Sequence, residues 1–308
     1  MSDIVSLFRA FHRAFPFLEI DPLIEYFAFF GGVEDRMVLD PFGGLEANIE
    51  AQIFEDFGKA LTWITPSYLM DDPYCKLLIA VARGDGKLLN IFRRAGLSET
   101  VGGSLLHELE SLGILRIEAS REPPIRRHKH QPLPKELRGY RIQSKARFVR
   151  PFHRFWFGFV APYARELERG EHRHFWENYR LHRDRALSLI FEHLSNALIE
   201  QTFALSDPII SYGSWWDRKS EYDVLAITEG GRVLLGECKY KGRKITKGEL
   251  TKLQEKAMQT GLRVDAFVLF SRNGFSKELL GMAGEGLMLF GIEYFEGLVE
   301  GEELGVRN

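Results

Sequence analysis

Cysteine is scarce: the 308 residues contain only Cys75 and Cys238. They lie far apart among unlike neighbours, which predicts two free thiols and not a disulfide. Long apolar runs are missing as well. No stretch of about 18 apolar residues occurs, and the opening MSDIVSLFRAFHRAF carries Asp3 and basic residues inside its apolar part. A membrane span and a secretory signal are thereby excluded, and a cytoplasmic protein without membrane attachment is expected. A phosphate cradle of the form G-x-x-x-x-G-K-[ST] is also absent. Gly58-Lys59 and Gly86-Lys87 lack both the leading glycine and the following Ser or Thr, so ATP hydrolysis is not expected. Nor is there an overall charge excess, with 41 Lys and Arg against 43 Asp and Glu.

What is present describes a globular chain, 45% hydrophobic and 27% charged, long enough for two or three domains. Its charge is unevenly distributed. Between Arg121 and Arg154 there are eleven Lys or Arg and only Glu122 and Glu136 as acids, a net +9, which leaves −11 on the remainder. A segment of this density is suited to phosphate contacts. Arg121, Arg126, Arg127, Lys129, Arg138, Lys145 and Arg147 are its candidate DNA-binding cations, with a solvated loop as the plainer alternative.

Pattern and punctuation divide the chain. Residues 1–70 read as a small helical segment broken by Pro and Gly, with Leu23, Ile24, Phe27 and Phe30 at helical spacing. Residues 71–150 read as three short helices, the strand ILRIEAS, a proline-rich charged loop and the return strand YRIQSKARFV, the order of a winged helix-turn-helix with a basic wing. Its third helix bears Glu99, Glu108 and Glu110 and no Lys or Arg. It is therefore poorly equipped to read bases, and packing or protein docking is its alternative role. Residues 151–182 hold aromatic-rich connecting helices. Pro151 is placed as a first helical residue, and Phe152, Phe155, Trp156, Phe159 and Val160 form a core-facing stripe. Residues 183–308 then run helix, three strands, helix, strand, short helix, strand, which predicts an α/β sheet with helices against it.

The chemistry concentrates in that last segment. Asp223 lies in the strand EYDVLAIT, and Glu237 and Lys239 share one face of VLLGECKY because strand side chains alternate. Two carboxylates make a hard oxygen site for Mg²⁺ or Mn²⁺, and a nearby Lys can orient water or neutralise developing charge. Metal-assisted phosphodiester hydrolysis is the chemistry this set suits. The histidines at 128, 130, 172, 174, 182 and 193 have no cysteine pair beside them and read as polar surface, not as a zinc site.

Asp223 followed by Glu237-x-Lys239 on consecutive strands after a helix resembles the PD-(D/E)xK nuclease superfamily. GECKY, FSRNGF, FWFGFV, YFAFFGG and LEANIEAQI together are similar to the C-terminal region of archaeal-type ATPases, without the nucleotide-binding module. The resemblance implies a restriction-endonuclease-like αβββαβ core in 183–308, Asp223 and Glu237 as metal ligands, Lys239 as catalytic lysine and Glu192 as an auxiliary acid. Glu221 and Gln254 are weaker candidates on the same reasoning, and Arg150 departs from the acidic cap common in that family. The implied function is a Mg²⁺-dependent DNA nuclease of little sequence specificity. A non-catalytic DNA-binding protein, or a docking protein for a separate ATPase, is the alternative, and a homodimer is compatible with either.

Overall fold

A computed structural model describes residues 3–300 except 127 and 129. The N-terminal part is helical, with α1 (Asp3–Ala14), α2 (Ile20–Phe30), α3 (Leu45–Ile49) and α4 (Phe57–Leu61). Next come α5 (Tyr74–Arg83), α6 (Leu88–Ala95) and α7 (Glu99–Ser111). Each boundary has a local cause: Gly96 ends α6 in the left-handed conformation at φ 69°, and the Ser98 side chain accepts the N–H of Val101 to start α7. Strands β1 (Leu115–Glu118) and β2 (Lys145–Phe148) pair antiparallel, joined by the long 119–144 connection. Pro151 opens α8 (Pro151–Phe155), as its missing N–H predicts, and a π-helical turn follows over Trp156–Val160. Every member of the aromatic stripe from Phe152 to Val160 is buried, and Phe155 meets Phe29 edge to face at 5.3 Å.

After α9 (Ala164–Leu167), helix α10 runs from Arg173 to Phe203. It starts ten residues before the segment boundary expected at 183, because Phe175 and Tyr179 are fully buried and extend its apolar contact by almost three turns. The short strands β3 (Ile209–Ser211), β4 (Trp215–Trp216) and β5 (Glu221–Tyr222) precede β6 (Val224–Thr228) and β7 (Val233–Lys239). Then follow α11 (Lys247–Thr260), β8 (Ala266–Ser271), α12 (Lys277–Leu280), β9 (Leu287–Phe290) and α13 (Glu296–Glu300). The five-stranded sheet has the order β3-β6-β7-β8-β9, antiparallel across its first three strands and parallel across its last three.

Two apolar layers fix this sheet. Val224, Ala226, Leu234, Val268 and Phe270 share one core with α10 and the N-terminal helices, whereas Leu225, Leu235 and Leu269 pack with Leu250, Leu253 and Ala257 of α11. Burial on both faces explains why these strands are almost continuously hydrophobic. The first core extends from Ile4 to Leu298. The N-terminal helices are also tied to the sheet by polar contacts: Tyr240 donates to Asp21 at 2.7 Å, and Arg272 ion-pairs with Asp21 and Glu25. Among the described residues, no helix is long and apolar enough to cross a membrane.

Candidate active site at the β6–β7 strand ends

Asp223 interrupts the chain between β5 and β6. Val224 lies opposite Gly236 in the antiparallel register, so one further step brings Asp223 alongside Glu237. This closeness needs Gly236, because a Cβ there would meet the Val268 carbonyl oxygen at 2.9 Å and the Val224 side chain at 3.0 Å. Asp223 Oδ2 accepts the Cys238 N–H at 2.8 Å. Asn196 of α10 donates to the carbonyl oxygens of Asp223 and Glu192, at 2.9 and 2.8 Å, stitching the helix to the strand break. Glu237 and Lys239 share a face of β7 as the alternation predicts, and they form an ion pair.

Three carboxylates interact here. Burial pushes Asp223 well above the usual carboxylate range, and the charges of Glu192 and Glu237 push the same way. Glu192 is raised to about 7, chiefly by burial, with Glu221 and Glu237 adding to it against the opposing pull of Arg147 and Arg154. Burial works against the Lys239 ammonium, but Glu237 and Asp223 outweigh it and its pKa rises. Ionising these carboxylates together is therefore disfavoured, and a bound cation would relieve that penalty. Among the described residues, no group of three or more His, Cys, Asp or Glu side chains forms a ready-made metal cage. Two carboxylates with backbone and water oxygens still suit Mg²⁺, which takes few protein ligands and keeps several waters.

The cluster opens on two sides. Glu192 and Asp223 line a cleft of about 290 Å³ whose opposite wall is the β1–β2 hairpin, through Arg116, Glu118 and Arg147. His193, also in this cleft, is held well below its ordinary pKa by burial and by Arg116, Arg147 and Arg154, so it is neutral. Lys239 opens on a second cleft of about 240 Å³ bordered by Lys241, Arg243, Lys244 and Lys252 with Glu249. Sequence reading passed over this basic surface. Its signal was available: residues 239–252 contain six Lys or Arg and one acid.

The basic segment is distributed differently from the expected solvent-facing loop. Arg121 turns inward and donates to the carbonyl oxygens of Gly213, Ser214 and Leu225, at 2.6, 3.0 and 3.0 Å, and to Ser211 Oγ at 3.3 Å. Lys145 is fully buried, pairs with Glu221 and places its ammonium 4.3 Å from the Trp216 ring centre. Arg147 is also buried and pairs with Glu118. Arg121 and Lys145 tie this region to the C-terminal part and Arg147 braces the hairpin itself, and none of the three is free to meet phosphates, because burial without a partner would cost several kcal/mol each. Arg126 and Arg138 are exposed, while Arg127 and Lys129 lie outside the described residues. Glu221 is committed to Lys145. Gln254 is half-buried on α11, where its side chain makes no hydrogen bond to a described residue.

No curated protein and no solved structure matches the chain. Residues 156–253 match the model of the DUF234 family, described as archaeal and bacterial proteins of unknown function, and Glu192, Asp223, Glu237 and Lys239 all fall inside the matched segment.

Proposed function

We propose that this protein is a metal-dependent nuclease acting on DNA, with its site at Asp223, Glu237 and Lys239. The observation that carries the reading is the meeting of Asp223 with Glu237 and Lys239 at the ends of paired antiparallel strands, backed by Glu192 on α10. The order α10, β3, β6, β7, α11, β8 follows the helix, three strands, helix, strand sequence of the restriction-endonuclease-like core. The α5 to β2 region likewise supports a winged helix.

Asp223 and Glu237 would hold Mg²⁺ or Mn²⁺. When bound, the ion polarises a phosphoryl oxygen and lowers the pKa of its water. Lys239, charged and anchored on Glu237, stands where an ammonium can orient the attacking water or offset charge on the phosphoryl group. Glu192, with its pKa near 7, can accept or return a proton at neutral pH. The cations around Lys239 supply a sequence-independent path for the phosphodiester backbone.

Incubation of the purified chain with supercoiled, linear and single-stranded DNA in Mg²⁺ or Mn²⁺ tests the reading. Cleavage is expected, reduced by roughly 100-fold or more in Glu237→Ala and Lys239→Met variants that remain folded. Failure to cut any DNA form, or wild-type cutting by Glu237→Ala, overturns it. The basic cleft favours DNA binding without cleavage as a second reading, which predicts salt-sensitive retention of intact DNA.

A further inference from the structure

A pocket of about 120 Å³ lies between the end of α5, the α8 region and α10. Its polar lining consists of Arg83, Arg154, Asn178, His182 and Arg185, with no carboxylate among the described residues. Arg83 and Arg185 are held by neutral oxygens, not by acids: Arg83 donates to Gly158 O at 3.0 Å and to the Tyr163 hydroxyl at 3.4 Å, and Arg185 donates to Gly84 O at 2.8 Å. Each keeps most of its five N–H donors and all of its charge. The Arg154 guanidinium is half-buried and makes no hydrogen bond or ion pair with any described residue. Its pKa is lowered to about 9 by burial first, then by the charges of Arg147 and Arg185, with Glu192 a partial offset.

Three converging guanidiniums without a carboxylate repel one another, and an unpaired cation off the surface is costly. Structural arginines normally settle such a debt with an acid, as Arg147 does with Glu118. Planar guanidinium forks match the oxygens of a tetrahedral anion, and Asn178 and His182 add further polar groups to the lining. We propose that this pocket is a phosphate-binding site, taking the phosphate group of a small ester, a free phosphate or a phosphorylated strand end. Arg185 and Glu192 are seven residues apart on α10, two turns and about 10 Å along one face. A phosphorylated strand end held at the pocket could therefore reach the carboxylate cluster. The phosphate site itself needs neither a metal nor nuclease activity.

Thermal unfolding in inorganic phosphate, against sodium chloride of equal ionic strength, tests the proposal in metal-free buffer with the full chain, Arg154→Met and Arg185→Gln. The wild type is expected to gain several degrees, saturating with phosphate. Both variants should lose that response, and Arg154→Met in chloride should melt no lower than wild type, since burial penalises the charge it removes more than Glu192 offsets it. A flat wild-type response, or a response unchanged in Arg154→Met, overturns the proposal. Oligonucleotides of one sequence with a 5′-phosphate or a 5′-hydroxyl separate the sources. A tenfold preference for the phosphorylated end that disappears in Arg154→Met assigns a strand end. Equal binding of the two, with the inorganic phosphate response intact, assigns a free phosphate or small ester.

Discussion

Replacing Glu192 with Gln should make the metal-free protein more stable at pH 8. Burial, with the charges of Glu221 and Glu237 adding to it, raises the Glu192 pKa from the ordinary 4.5 to about 7, and Glu192 in turn pushes Asp223 up. A folded-state pKa above the unfolded one means that the folded chain holds the proton more tightly. The stabilisation this gives is complete below pH 4.5 and is lost as pH rises through 7. The difference corresponds to roughly 3 kcal/mol, fully forfeited by pH 8. Gln keeps the shape and cannot ionise, and the Asn196 contact survives because it uses the Glu192 backbone oxygen. Urea unfolding of both proteins at pH 8 and pH 4 should therefore show a gap near that size at pH 8 and almost none at pH 4. Saturating Mg²⁺ should narrow the pH 8 gap, because the cation relieves in the wild type the same repulsion that the substitution removes. A Gln variant no more stable at pH 8, or a gap independent of pH, would refute the reasoning that the three carboxylates form one interacting cluster.

Two further outcomes are expected. Arg121→Met should cost about 3–5 kcal/mol, because it leaves the Gly213, Ser214 and Leu225 carbonyl oxygens without their charged donor. Urea melts followed by the fluorescence of the neighbouring buried Trp215 and Trp216 check it, and a loss below about 1 kcal/mol would place Arg121 outside the fold's support. His153 is 3% exposed, its Nδ1 has no hydrogen-bond partner among the described residues, and burial followed by Arg150 and Arg36 lowers its pKa to about 4. The unfolded chain thus takes up this proton first on acidification, and stability falls by roughly 3 kcal/mol between pH 6.5 and 4. His153→Phe should flatten that limb of the pH–stability curve.

Much of the local architecture was readable because it depends on nearest neighbours. The helix expected after the three strands is α11, Pro151 is the first residue of α8, and the 152–160 stripe is buried. The pairing of the Asp223 and Glu237 strands was also legible, since the turn at Gly230-Gly231 leaves little freedom between β6 and β7. The strand break at Asp223 was not. EYDVLAIT reads as one strand, and only its contacts with Asn196 and Cys238 hold Asp223 at a bend.

By itself the sequence determined the helix and strand periods, the face shared by Glu237 and Lys239, and the total charge available, because each follows from spacing along one chain. Only the tertiary structure decided where those charges are used. A Lys or Arg reads the same in sequence whether it meets water, a carboxylate or a backbone oxygen, and burial settles the difference by penalising any unpaired ion. Thus Arg121, Lys145 and Arg147 became interior ties, the run after Lys239 became the exposed basic cleft, and Arg83, Arg154 and Arg185, from three different elements, converged on a pocket that no motif announces.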